Sequence, residues 1–337
     1  MISYLSGMRA MSARSSSGIK FDASSVCVGL ALVGALLIQP SRAAADDAPW
    51  IATAGAAQRI DLGGGEVNAL AASGDGKQLV VDTDEALFTV DAGSVKPTGA
   101  PLKAHRDNSG LAVLISGGKR LIVSTWGNLP GGDKTGNTAP RQGGKLQLVD
   151  PAGRHVKDLA SFTREPHLLA AQPDGGRIAI AYADNTVQVF DADGKTLLGP
   201  VKLVAGQVVA GTRIDGVTAI AVSPDGKHLA VGGEDVTIRL FDIAGGKPVA
   251  KLDNGAFHGV SWVHGPARQI VFTQDGARIV SFEQGNNLAI HDAASGKPLG
   301  GLVQVRSKVA AITPMADGGG LWIAGPDGTL QRWQWQK

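Results

Sequence analysis

Along most of this chain, apolar residues come in short runs separated by turn residues, and the runs recur in sets. A hydrophobic strand leads into an Asp-Gly turn, a second strand follows, and a third ends on an apolar-Asp pair. Four segments show the unit best: VNALAASGDGKQLVVDTDEALFTVD (67–91), HLLAAQPDGGRIAIAYADNTVQVFD (167–191), VTAIAVSPDGKHLAVGGEDVTIRLFD (217–242) and RQIVFTQDGARIVSFEQGNNLAIHD (268–292). Two weaker copies fill the gaps, at 111–150 and 309–334. The closing residues Asp91, Asp150, Asp191, Asp242, Asp292 and Gln334 fall 41 to 59 residues apart, the period of one four-stranded unit, stretched in places by loop insertions. Asp-Gly at Asp75, Asp174, Asp225 and Asp275 sets a turn-tolerant residue before one that accepts φ > 0. Alternation such as Lys227-His228-Leu229-Ala230-Val231 predicts strands with one buried face, and Gly194-Lys195, Gly246-Lys247 and Gly296-Lys297 mark turns into a fourth, outer strand.

At SPDGKHLAVGGEDVTIRLFD (223–242) the chain resembles the WD-repeat consensus nearly residue for residue, with Phe-Asp in place of Trp-Asp. The resemblance runs from about Gly65 to the C-terminus. It implies an all-β fold, a six-bladed β-propeller of four-stranded antiparallel blades, with room for a seventh, degenerate repeat near 254–268. In that family an Asp in the tight turn before the third strand anchors a hydrogen-bond network; the matching positions are Asp84, Asp184, Asp235 and Asp327. Gly143 and Gly285 stand there in the other two repeats, and none of the six has the Gly-His dipeptide that completes the network, so packing must supply most blade stability. The last repeat stops after three strands. Residues 58–62 are therefore expected to supply the fourth strand of the final blade, closing the ring and removing exposed edges.

Composition fits a turn-rich chain whose core is built from small aliphatic side chains: 47 Gly and 16 Pro beside 43% hydrophobic, 18% charged and 5% aromatic residues. The first 45 residues read as a cleaved secretory signal. Arg9, Arg14, Lys20 and Arg42 face only Asp22, the apolar run 26–38 falls short of the roughly 20 residues of a bilayer span, and Ala43-Ala44-Ala45 supplies small residues for cleavage. Met8 or Met11 is an alternative initiator. The expected organisation is a signal over 1–45 and a single propeller over 46–337, placed in the periplasm or secreted. The mature chain then holds 28 basic and 29 acidic residues, a balance with no footprint for nucleic acid or, beyond the signal, for membrane. Its only cysteine, Cys27, leaves with the leader, removing disulfides, thiolate metal sites and a Cys nucleophile.

Candidate chemistry is sparse. The loop-like stretch 126–144 (WGNLPGGDKTGNTAPRQGG) departs most from the repeat, and Trp126, Asn128, Asp133, Lys134, Asn137 and Arg141 are its candidate partner contacts. Residues 254–268 hold His258, Trp262 and His264, but without a carboxylate and at a spacing that matches no familiar ligand set. The innermost segments, read as 67–72, 111–115, 168–171, 217–222, 270–272 and 309–312, contain no Asp, Glu or His, with Asn68 the main polar exception. Gly63-Gly64-Gly65 joins no strand to a helix and is no phosphate cradle, the Asp-Gly turns lack the ligand pattern of calcium loops, and Cys-x-x-Cys-His is missing. No catalytic residue, cofactor or metal is assigned. The reading that results is a non-enzymatic scaffold that holds another exported protein or a protein complex. A lactonase-like or quinoprotein-like ring, or an accessory to a periplasmic redox enzyme, is the alternative.

Overall fold

In the computed structural model, the described residues are 51–61, 63, 65–83, 85–103, 111–116, 119–128, 142–150, 155–204, 207–209, 212–214, 216–253, 265–283, 286–300 and 303–336. They form six antiparallel blades, each with its first strand innermost. Blade 1 uses Val67–Ala72, Gln78–Thr83 and Ala86–Asp91; blade 2 uses Leu111–Ile115, Arg120–Asn128, Gln142–Val149 and His155–Phe162. Blade 3 uses Pro166–Ala171, Arg177–Tyr182, Thr186–Asp191 and Thr196–Lys202; blade 4 uses Val217–Val222, His228–Gly233, Thr237–Asp242 and Pro248–Asp253. Blade 5 uses Ala267–Phe272, Arg278–Glu283 and Asn287–Asp292, and blade 6 uses Ala311–Pro314, Gly320–Ala324 and Thr329–Gln336.

The second strands contradict the expectation of one buried face. In His228–Gly233 every residue after His228 is buried, and Arg177–Tyr182 and Arg278–Glu283 repeat the pattern. The reason is the architecture: a blade lies between two neighbours, so both faces of its middle strands are covered and the apolar residues run on consecutively instead of alternating. The core is accordingly spread over the six blade interfaces. Leu70, Leu79 and Phe88 of blade 1 pack with Met315, Trp322 and Leu330 of blade 6, and Ile122, Leu146 and Phe162 of blade 2 pack with Ile178, Ile180 and Tyr182 of blade 3. The Phe162 and Tyr182 rings meet edge to face at 5.7 Å. Gly144 sits beneath this contact, where a Cβ would strike both the Thr125 carbonyl and the Phe162 ring.

Fourth strands vary. Blade 1 has only the pieces Lys96–Pro97 and Leu102–Lys103, and blade 5 has Val303–Gln304 with a bridge from His291 to Pro298. In blade 6 the N-terminal segment closes the ring, but the strand begins earlier than residue 58. Ile51–Ala54 pairs with Trp333–Gln336, and Gln58–Arg59 pairs with Leu330 and Thr329; Ile60 and Asp61 are outside the strand, and Leu62 lies outside the described residues. The partner strand Thr329–Gln336 is eight residues long, which lets its neighbour start at Ile51. Between the two pieces the chain stays attached through Gly55 N–H to Arg332 O at 2.6 Å and Gln331 Nε2–H to Gly55 O at 2.8 Å.

Because this closure joins the two ends of the propeller without covalent help, deleting residues 51–59 removes six paired positions and bares one edge of blade 6. At roughly 0.5–1.5 kcal/mol net per hydrogen bond, the loss should reach about 3 kcal/mol or more. Thermal unfolding should then shift down by roughly 6–12 °C. A deletion variant that melts with the parent protein would remove the latch from the account.

Candidate docking face

Strand direction gives the ring two unlike ends. First strands run from one end to the other and second strands return, so turns between first and second strands share one end with turns between third and fourth strands. The opposite end carries the turns between second and third strands together with every connection from one blade to the next. We call these the turn end and the connection end.

The turn end is regular. Asp75 accepts from the Ser73 hydroxyl at 2.6 Å and from Lys77 N–H at 3.1 Å, while Ser73 Oγ accepts from Gln78 N–H at 2.9 Å. Ser223, Asp225 and His228 repeat this network, as do Thr273, Asp275 and Arg278. At the third-to-fourth turns, Asp91 accepts from Ser94 N–H and Oγ–H, and Asp292 accepts from the same two groups of Ser295. The Ser94 hydroxyl and backbone hydrogen bonds hold the Asp91 carboxyl below its usual range. Each aspartate closes its own turn, a local use of Asp that competes with no strand pairing.

The connection end is irregular. Asn128 and Gln142, the strand ends flanking residues 129–141, lie there, and so do the ends flanking 104–110 and 254–264. The connection from blade 3 to blade 4 carries a hairpin of its own, Gln207–Val209 paired with Thr212–Ile214. At the closure seam a cleft of about 890 Å³ opens among Arg59, Asp61, Glu66, Lys308 and Asp327.

Three of the four turn aspartates singled out in the sequence lie at this end, in turns between second and third strands; Asp84 lies outside the described residues. Their partners are arginine and threonine. Asp235 takes a two-pronged contact from Arg239, with Nη1 to Oδ1 at 3.1 Å and Nη2 to Oδ2, and accepts the Thr237 hydroxyl at 2.7 Å. Asp184 receives Arg164 Nε–H at 3.0 Å, from the connection that leads into blade 3, and Thr186 N–H at 3.0 Å. Asp327 accepts Thr329 N–H at 3.2 Å, and Arg59 Nε–H donates to its carbonyl at 3.0 Å. Burial works against ionisation of Asp235 and Asp184, but the hydrogen bonds from Arg239 and Thr237, and from Thr186 and Arg164, outweigh it and both carboxyls titrate below the ordinary value. In blade 1 the Thr83 hydroxyl does the closing work, accepting from Ala86 N–H at 3.0 Å and donating to Ala86 O at 2.8 Å.

The second and third strands of blade 2 reach further into 126–144 than its composition predicted. Trp126 and Asn128 belong to the second strand of blade 2. Gly143, expected in a turn, pairs with Gly127 across the same extended hairpin. Glycine-rich composition concealed a strand pair whose backbone register runs on to Gln142 and Asn128. Asp133, Lys134, Asn137 and Arg141, like Gly285, His258, Trp262 and His264, lie outside the described residues.

A channel of about 1000 Å³ runs between the first strands. These strands begin earlier than the sequence suggested in blades 3 and 5, at Pro166 and Ala267, which brings His167, Arg268 and Gln269 onto the innermost layer. A register shift recurs at one position in four blades, between Val67 and Ala69, Pro166 and Leu168, Val217 and Ala219, and Ala267 and Gln269. The extra residue in each case, Asn68, His167, Thr218 or Arg268, stands at the connection end of its strand. Bulged residues leave the alternation of the ladder, so a pattern of hydrophobic periods passes over them. Arg239 carried a signal, since it stands four residues after Asp235, on the strand that this turn begins; Arg164, from a connecting segment, carried none. Among the described residues no group of three or more His, Cys, Asp or Glu side chains converges in a way that could hold a metal ion.

Residues 209–242 match the family model described as WD domain, G-beta repeat. The small ribosomal subunit protein RACK1y of Oryza sativa subsp. japonica is 33% identical over 131 residues, covering 36% of this chain and 37% of that protein. An uncharacterized WD repeat-containing protein of Synechocystis is 28% identical over 159 residues, 37% of this chain and 43% of the relative. The 66 kDa stress protein of Physarum polycephalum is 28% identical over 106 residues, 32% of this chain and 16% of that protein. The chain spans less than half the length of the curated relatives it matches. These matches place a WD repeat at residues 209–242 of the six-bladed β-propeller and make the chain similar, over about a third of its length, to WD-repeat proteins.

The Asp235 and Asp184 pairs predict different costs and a common pH dependence. The Asp235 side chain is 4% exposed and that of Arg239 17%, whereas Asp184 and Arg164 are nearly half exposed. Asp235→Ala leaves a mostly buried guanidinium without its partner and should cost about 3 kcal/mol in urea unfolding; Asp184→Ala should cost about 1 kcal/mol or less. Since both carboxyls titrate below the unfolded value of about 3.9, their stabilisation is complete above roughly pH 4 and is lost as the pH falls through the lower folded values. Acidification from pH 6 to pH 3 should therefore destabilise the parent protein more than Asp235→Ala. Equal losses would show that this pair contributes nothing to the acid sensitivity.

Proposed function

We propose that this propeller is exported and holds another exported protein or protein complex against its connection end. The observation that carries the reading is the concentration of departures from the repeat at that end: the flanks of 104–110, 129–141 and 254–264 and the extra hairpin all lie there, while the turn end repeats one tight turn blade after blade. A ring whose covalent and packing needs are met by the repeat has no structural use for such additions on one side only, and connecting segments on a rigid scaffold are where binding residues concentrate. The RACK1y relative is a ribosomal subunit protein by name, which agrees with a role inside an assembly. Export is supported by the apolar run at 26–38 followed by Ala43-Ala44-Ala45.

Two measurements test this. Replacing residues 129–141 with a short Gly-Ser link should leave the melting temperature within about 3 °C, since the change leaves the paired strand residues of blade 2 in place. The same variant should lose most capture of the native partner from the exported protein fraction; undiminished capture would exclude this segment from the contact. For export, the protein expressed from its full sequence should be recovered outside the cytoplasm with a new N-terminus at Asp46, and retention at full length in the cytoplasm would overturn that part of the reading.

A further inference from the structure

Every first strand has a partner on one side only, so along the channel alternate peptide groups have no strand beside them. At blade 6 a side chain takes up that vacancy. Gln269 reaches across from blade 5, its Nε2–H donating to Ala310 O at 2.6 Å and its Oε1 accepting from Ile312 N–H at 2.8 Å. One carboxamide thus makes the two hydrogen bonds that a peptide unit of an adjoining strand would make. The neighbouring bulge residue, Arg268, lines the channel, is exposed, and is paired with no carboxylate among the described residues. Of the two charged residues lining this part of the channel, Asp82 is 6% exposed whereas Arg268 is exposed, so the charge that this lining presents to solvent is the guanidinium. The wall below is apolar and small, as at Ala71 and Val113.

We propose that the mouth of the channel at the connection end binds the free C-terminus of an extended peptide. The terminal carboxylate pairs with Arg268, and the last amides pair with the open edges of the first strands in the manner of Gln269. A guanidinium and a carboxylate form two parallel charge-assisted hydrogen bonds, and an open strand edge offers main-chain pairing that is indifferent to most side chains. Small apolar terminal residues fit the wall. The inference rests on the docking reading above and specifies the chemistry of the partner: a protein whose last residues are unstructured, apolar and unamidated.

The test uses the purified protein and acetyl-Val-Ala-Val as free acid and as C-terminal amide, with binding followed by calorimetry. The acid should bind at least tenfold more tightly than the amide. Arg268→Gln should bring the acid down to the level of the amide, and Arg268→Lys should restore part of the difference. Since Arg268 is exposed, both variants should melt like the parent. Hexanoate, which carries the carboxylate without the amides, should bind at least tenfold more weakly than the peptide acid. Equal binding of acid and amide, acid binding unchanged in Arg268→Gln, hexanoate binding as tightly as the peptide, or no binding of any probe at millimolar concentration would each overturn the proposal. If partner capture survives while the peptide fails, only this inference falls; if capture itself fails, the docking reading falls with it.

Discussion

A blade has two apolar faces, and the structure depends on covering both. A single sheet can shelter one face against a second layer, but the consecutive buried residues of His228–Gly233 or Arg177–Tyr182 need a neighbour on each side. Only a closed circle gives every blade two neighbours. The first and last blades must therefore meet, and they do so through Leu70, Leu79 and Phe88 packed against Met315, Trp322 and Leu330. The strand Ile51–Ala54, with Gln58–Arg59, supplies the outer layer of blade 6 and ties the start of the propeller to its last strand. Small side chains follow from the same demand, because the blades converge where the first strands lie; alanine stands at positions 69, 71 and 72 in blade 1 and at 219 and 221 in blade 4.

With the core shared among interfaces, the turns are left to local chemistry. Aspartates at the turn end accept hydrogen bonds from groups a few residues away, and the Ser73-Asp75 arrangement recurs with Ser223-Asp225 and Thr273-Asp275. At the connection end the same residue type reaches further. Arg239 grips Asp235 from the third strand, and Arg164 bridges to Asp184 from the preceding connection. Arginine thus fills the role that the Gly-His dipeptide has in the WD-repeat consensus, with a planar, always charged partner that suits a carboxylate.

The division between ends is also a division of labour. Repetition at the turn end leaves the ring little to vary, while the connection end gathers the strand ends that flank 104–110, 129–141 and 254–264, the extra hairpin, the seam cleft and the mouth of the channel. Main-chain groups facing the channel must find partners, so an axis lined by alanine and valine is still polar along its strand edges. Gln269 makes that visible at blade 6.

Local order was legible in the residues themselves. Asp-Gly turns at Asp75, Asp174, Asp225 and Asp275, strands on either side of them, and a repeat of blade length led to six blades, because turn geometry and strand periodicity are set within a few residues. Burial on both faces, the start of the closing strand at Ile51, the strand status of Trp126, Asn128 and Gly143, and the placement of Arg268 and Gln269 on the channel were decided by tertiary structure. Each depends on a partner far along the chain: a neighbouring blade, Gln336 opposite Ile51, Gly127 opposite Gly143, or Ala310 and Ile312 beside Gln269. A single run of sequence records which conformation a residue favours and whether it shuns water; which distant segment meets it is known only once the ring has closed.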